Sequence, residues 1–283
     1  MNTLFMKKIL FPTDFSEVAN NAFVHALEFA KMVHGELILL HSFELPIYDN
    51  QFFPENYAAI YDSVELSEFE MFKNEIPKLR AIAEVHHLDK IKMSHRLKDG
   101  NLVSAIKESI KDDAIDYLVM GTSGATGWES FFMGTNASSI ITDAGIPVYC
   151  IPSNAPFQKI HTIGFTTRFR PKDKKALQTV LQLAHKAKAK VKCLYVKTSN
   201  SDITNATIAE WKEELKSEPI DFYTIEDDDV QAIITDFIMY KEVDVLIMLP
   251  YKRGFFEGLF HTSLTKKLAT DFEIPILSIP INE

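Results

Sequence analysis

The sequence predicts an α/β protein in which one parallel-sheet domain is built twice, and three observations carry that prediction. Apolar runs of strand length alternate with longer amphipathic runs of helix length along the 283 residues. The order of these runs in the second half repeats that of the first. The halves also close on matching segments, Gly145-Ile146-Pro147-Val148-Tyr149-Cys150-Ile151-Pro152 being answered by Glu273-Ile274-Pro275-Ile276-Leu277-Ser278-Ile279-Pro280.

The first half opens with a strand over residues 8–11, closed by Pro12-Thr13-Asp14-Phe15-Ser16. Ser16 suits the N-cap of a helix over 17–33, where Ala19, Phe23, Ala26, Leu27 and Ala30 recur at helical spacing and His34-Gly35 is a stop. Residues 37–43 read as the second strand, and 44–56, with Pro, Asn and aromatics, as a surface connection. A long helix follows over 58–86, which Pro77 should bend or end. Then come a strand at 91–96, a helix at 101–111, a strand at 117–120, a helix near 137–143 and a fifth strand at 147–151.

In the second half, strands are expected at 163–165, 191–196, 220–224, 245–249 and 275–279. The helices between them fall at 174–187, 208–215, 230–240 and 262–270, with Asp227-Asp228-Asp229 at the positive end of the third. The domain boundaries read as 1–153 and 159–283. The last strands of the two halves, expected at sheet edges, would hide their open backbone groups by pairing antiparallel within the chain.

Composition narrows the function. The net charge of -9 and the lack of a basic run argue against nucleic acid or an anionic membrane as the main partner, while leaving room for a small anion held by local dipoles. No stretch approaches the roughly 20 apolar residues of a membrane span. The start reads as a first strand rather than a signal peptide, and Cys150 and Cys193, both in apolar runs, read as buried free thiols. A reducing cytoplasm is the expected location.

The chemistry concentrates at Leu118 to Ser139. An apolar run ends at Met120, Gly121 and Gly124 follow, and Gly134-Thr135-Asn136 opens a new helical run. Helix starts leave N–H groups unpaired, and glycine lets a phosphate approach the backbone. The strand ends at Asp14, Ser42 and Met120 converge on the carboxyl edge of the expected sheet, where open α/β sheets bind ligands. The chain lacks a G-x4-G-K-[S/T] loop and a G-x-S-x-G elbow, and it shows no residues placed as nucleophile and base, so no catalytic residue is assigned. Plainer readings stand beside these: Asp14 as a turn and cap residue, Gly134-Thr135-Asn136 as a helix start alone, and His41 as a structural histidine.

Ile9 to Ser16, Leu39 to Ser42 and above all Gly121-x2-Gly124-x9-Gly134-Thr135 resemble the universal stress protein family, whose ATP-binding pattern is G-x2-G-x9-G-[S/T]. The resemblance covers almost the whole chain as two such domains in tandem. It implies a three-layer parallel sheet of the flavodoxin-like or adenine-nucleotide α-hydrolase-like type, with two domains paired through their last strands. The chain would then be an intramolecular pseudo-dimer, with a homodimer of chains open to it as a further form. It further implies adenine near Pro12, Thr13 and Ser42, with Met120 and Gly121 as the floor. By the same resemblance Asp14 would lie by the ribose or a nucleotide-bound Mg²⁺, and Gly124, Gly134, Thr135 and Asn136 would take the phosphates of ATP, ADP or AMP. The implied function is a regulatory stress-response protein holding one nucleotide per chain, with at most slow ATP hydrolysis. The alternative is an interaction module that keeps the fold without nucleotide.

The second half departs from this pattern. Arg168 stands where the first half has Asp14, and alignment through Gly127 and Gly254 sets Met248, Tyr251 and His261 against Gly121, Gly124 and Gly134. The second site is therefore expected to be degenerate, with Arg168, Lys252 and Arg253 as groups that could serve a different anion.

Overall fold

The computed structural model describes residues 6–44, 57–121, 140–141, 144–250 and 274–280, and it divides into two compact units that part after Met120. In the first, strands β1 (Lys7–Pro12), β2 (Gly35–Phe43), β3 (Met93–Asp99) and β4 (Tyr117–Gly121) alternate with helices α1 (Glu17–Val33), α2 (Tyr57–Val85) and α3 (Leu102–Asp112). The strand order is β3-β2-β1-β4, and every neighbouring pair is parallel. Right-handed crossovers place α1 and α2 on one face of this sheet and α3 on the other. α1 accordingly packs on α2.

Each element follows from its residues. Ile9, Leu10 and Phe11 are fully buried, as a central parallel strand covered on both faces requires. Ser16 caps α1, its Oγ accepting the Ala19 N–H, and His34 closes the helix in the left-handed region at φ 57°. Asn101 caps α3 through Ser104 N. β3 is half-buried for most of its length and pairs with β2 from Leu37↔Met93 to Phe43↔Asp99, so it extends three residues past the expected Arg96. Backbone pairing rather than apolar content sets its end.

Of the two outcomes expected at Pro77, an end of the helix is not seen: Pro77 lies inside α2. Pro77 is exposed, so the carbonyl one turn back that loses its N–H partner can be hydrated. Phe72 on one side and Leu79 and Ala83 on the other are buried and hold both parts of the helix to the core.

The second unit contains β5 (Val148–Ile151), β6 (Thr162–Thr166), α4 (Pro171–Ala187), β7 (Lys190–Lys197), α5 (Asn205–Glu214), β8 (Ile220–Glu226), α6 (Val230–Tyr240), β9 (Val245–Met248) and β10 (Ile276–Ser278). The strand order is β5-β10-β9-β6-β7-β8. All neighbours are parallel except β5 and β10, which run antiparallel with Leu277 opposite Tyr149. α4 begins at Pro171 instead of the expected Lys174, because proline with its fixed φ suits the first turn. Asp229 caps α6 through Ala232 N, as the acidic run suggests. Cys150 and Cys193 are buried free thiols. Burial pushes the Cys150 thiol up to about 12 and the Cys193 thiol up as well. The helix expected over 262–270 lies outside the described residues, as does most of the helix near 137–143.

Close packing at the start of β2 leaves no room for a side chain at Gly35. A Cβ there would lie 2.7 Å from the Lys7 carbonyl oxygen and 2.8 Å from Ile9 Cδ1. The registers Ile9↔Leu37 and Ile163↔Val191 make Ala189 its counterpart in the second unit. Gly35→Ala is therefore expected to lower stability by about 1–3 kcal/mol, measured by urea unfolding, despite the alanine tolerated at the matching position.

Candidate functional site

In the first unit the crossovers leave β1 in opposite directions, β2 and β3 to one side and β4 to the other, so the β1/β4 carboxyl edge is the topological switch point. The turn at the end of β1 shapes this edge. The Thr13 N–H donates to the Leu40 carbonyl at 2.9 Å, continuing the sheet by one bond beyond Pro12. Thr13 is completely buried, and its Oγ1 accepts the Phe15 N–H at 3.0 Å. This hydroxyl turn holds Phe15 at φ 61°, a region that costs a non-glycine residue energy and needs such support. Asp14 lies between the two. Its Oδ1 accepts from Ser16 N at 3.1 Å and Ser16 Oγ at 2.7 Å, linking the turn to the cap of α1.

The register Leu10↔Leu118 brings Met120 level with Pro12, and Pro12↔Leu40 sets Ser42 just beyond on the neighbouring strand. Met120 is buried and Gly121 is the last residue of β4. Pro12, Thr13, Asp14, Ser42, Met120 and Gly121 thus share one sheet edge. Gly124, Gly134, Thr135 and Asn136 lie outside the described residues.

His41, expected as a structural histidine, has two partners. Its Nδ1 donates to the Thr13 carbonyl at 2.8 Å, since a carbonyl oxygen can only accept, and its Nε2 faces Glu68 Oε2 on α2 at 3.5 Å. The ring sits among Phe15 and Phe72, with centroids 5.1 and 6.3 Å away. Next to Phe72 is His95, which burial, with Arg80 and Arg96 adding to it, holds below the ordinary histidine range. His41 therefore fixes the Thr13 turn from behind. Glu68 lies 27 positions from His41 along the chain, in a helix with no motif, so nothing in the sequence signalled the pair.

The second unit repeats the turn with different chemistry. The Thr167 N–H donates to the Leu194 carbonyl at 2.9 Å, Thr167 Oγ1 accepts the Phe169 N–H at 2.9 Å, and Phe169 stands at φ 53°. Arg168 takes the Asp14 position. The carboxylate comes instead from Asp173, fully buried in the first turn of α4. Its Oδ2 accepts from Thr167 Oγ1 at 2.9 Å, Arg168 N at 2.5 Å and Arg170 N at 3.3 Å. Tyr195 replaces His41, and Trp211 packs on Phe169 with centroids 5.0 Å apart.

The strand registers Ile9↔Tyr117 and Ile163↔Val245 correct the alignment of the two halves by one residue. Met248 matches Met120, and Leu249, not Met248, matches Gly121. Alignment through the distant Gly127 and Gly254 missed a shift that backbone pairing settles. Among the described residues no helix is long and apolar enough to cross a membrane, and no group of His, Cys, Asp and Glu is placed to hold a metal ion.

Residues 6–152 match the model of the universal stress protein family. A universal stress protein of Methanocaldococcus jannaschii is 30% identical over 157 residues, covering 51% of this chain and 94% of the relative. A second from the same organism is 27% identical over 145 residues, covering 51% and 81%. Among solved structures, a universal stress protein from Archaeoglobus fulgidus superposes with a TM-score of 0.69 at 16% identity, covering 98% of this chain and 97% of that one. That likeness concerns the fold alone.

The two carboxylates of the paired turns differ in burial and in bonds. Asp173→Ala strips three donors of a buried acceptor and should cost about 2–4 kcal/mol, whereas Asp14→Ala at a half-exposed turn should cost about 1 kcal/mol or less. Chemical unfolding of the two variants checks this, and equal losses would contradict the assigned roles.

Proposed function

The chain belongs to the universal stress protein family, and from that premise we propose that it is a cytoplasmic regulatory protein of the stress response that binds one adenine nucleotide in its first repeat, residues 1–153. The observation that carries this reading is the shared edge at the β1/β4 switch point. There a rigid turn at Thr13 stands beside a strand that ends on Gly121 and leads into Gly124-x9-Gly134-Thr135. The adenine would rest against Pro12, Thr13 and Ser42, with Met120 and Gly121 beneath it. Gly124, Gly134, Thr135 and Asn136 would offer N–H and hydroxyl donors to the phosphates, with no cationic side chain required.

Asp14 fits a place near the ribose or a Mg²⁺ carried in by the phosphates, and it has a second task in the turn through Ser16. Magnesium would supply charge neutralisation of the phosphates. The chain's own share is to orient the nucleotide, and no base or basic clamp in the motif supports rapid hydrolysis. The pairing of β5 with β10 supports joining of the repeats through their last strands as a pseudo-dimer, which leaves other surfaces for a homodimer.

One observation favours the second reading, an interaction module without nucleotide: the bonds of Asp14 to Ser16 explain that residue by turn geometry alone. Titration calorimetry of nucleotide-stripped protein with ATP and Mg²⁺ separates the two. We expect one site per chain, abolished by Gly124→Trp and weakened by Asp14→Ala. No uptake at millimolar ATP, or a second site of equal affinity, would overturn the proposal.

A further inference from the structure

Over residues 62–73, helix α2 has distinct inward and outward faces. Phe72 is buried, and Glu68, one turn before it, faces His41 Nε2 at 3.5 Å. On the other side Leu66 and Phe69 are 59% and 53% exposed. Three residues apart on a helix, they are neighbours on one face. The other large apolar side chains exposed among the described residues, Met6, Val85 and Tyr240, each stand without a second one within a turn.

The charges around this pair are all of one sign. Asp62, Glu65 and Glu70 are exposed, and no Lys, Arg or His precedes Lys73 in α2. None of the three carboxylates has an ion-pair partner among the described residues, whereas Glu75 further along the same helix is paired with Lys78. The helix dipole does not account for these acids, because the first turn of α2 carries none. Asp62 with Glu65, and Glu65 with Glu68, are like charges three residues apart, an arrangement that weakens a helix. A cation-bearing segment with an apolar face would cover the pair and neutralise the repulsion together. Among the described residues the chain offers no such segment to a second copy of itself: its lysine-rich helix α4, with Lys172, Lys175 and Lys186 exposed, exposes no large apolar side chain.

We propose that the face of α2 around Leu66 and Phe69 docks a cationic amphipathic helix of a partner protein. The apolar residues of that helix rest on the pair, and its Lys or Arg side chains meet Asp62, Glu65 and Glu70. Anchors one turn apart are how a helical partner is read. The negative rim steers the encounter and rejects acidic partners. The surface does not depend on nucleotide binding in the first repeat.

The test titrates the full chain with a synthetic peptide of about 14 leucines and lysines whose leucines fall on one helical face. Calorimetry should show one site, and amide shifts should map it to residues 62–73 of α2. Leu66→Ser and Phe69→Ser should each weaken binding roughly tenfold. The triple variant Asp62→Asn, Glu65→Gln, Glu70→Gln should do the same and flatten the dependence on salt. All five positions are exposed, so circular dichroism should show the variants folded. Glu242→Gln, which removes an exposed acid from the other unit, should leave Kd unchanged. A peptide of the same composition with its leucines scattered around the helix should bind about tenfold more weakly. No binding at millimolar peptide, equal binding of the scattered peptide, or an unchanged Kd in both Leu66→Ser and Phe69→Ser would overturn the inference. So would a dimer of the chain in analytical ultracentrifugation that Phe69→Ser dissociates, because a second copy would then occupy this face.

Discussion

Both units depend on one hydroxyl turn. A buried threonine, Thr13 or Thr167, extends the first strand by a single bond to its neighbour and uses its Oγ1 to hold a phenylalanine in the left-handed region. Either bond alone would leave the chain free to leave the sheet at several angles. Together they fix the residue between Thr and Phe at the carboxyl edge, and they start the next helix in register with its cap. The cost of a phenylalanine at positive φ is offset by packing its ring in an aromatic cluster, with His41 and Phe72 in one unit and Tyr195 and Trp211 in the other.

Given that scaffold, the residue at its apex decides the chemistry, and the supporting groups change with it. In the first unit the apex is acidic and bonds to the cap serine, while His41 steadies the turn from behind through the Thr13 carbonyl. In the second the apex is basic, so the turn's carboxylate comes from Asp173 in the next helix, and the stabilising histidine becomes a tyrosine with an unbonded hydroxyl. These replacements are coupled. Asp173 takes the one donor that the two turns share, the N–H two residues past the apex, which is Ser16 in the first unit and Arg170 in the second and which Arg168 cannot accept. The second half therefore reads as a rebuilt edge rather than a decayed one.

Much of this architecture was legible in the sequence because it rests on local signals. The alternation of apolar runs gave the parallel order, Ser16 and Asn101 marked helix starts, and the Thr-Asp-Phe-Ser closure marked the turn. What escaped depends on distance. Pro77 reads as a bend or an end of its helix, and the helix runs on through it because the buried residues on either side, Phe72 and Leu79, hold both parts to the core. The one-residue offset that pairs Leu249 with Gly121 is a property of strand register, which no glycine count reveals. Glu68 behind His41, and Asp173 beneath Arg168, act through contacts that leave no spacing pattern.

The central claim is that the two repeats share one edge geometry and that only the first is a nucleotide edge. The most direct measurement is photolabelling of the intact chain with 8-azido-ATP, with peptide mapping and competition by ATP. The account predicts ATP-protected label on the segments carrying Pro12, Thr13 or Ser42. Protected label on Thr166, Thr167 or Val196 instead would contradict it.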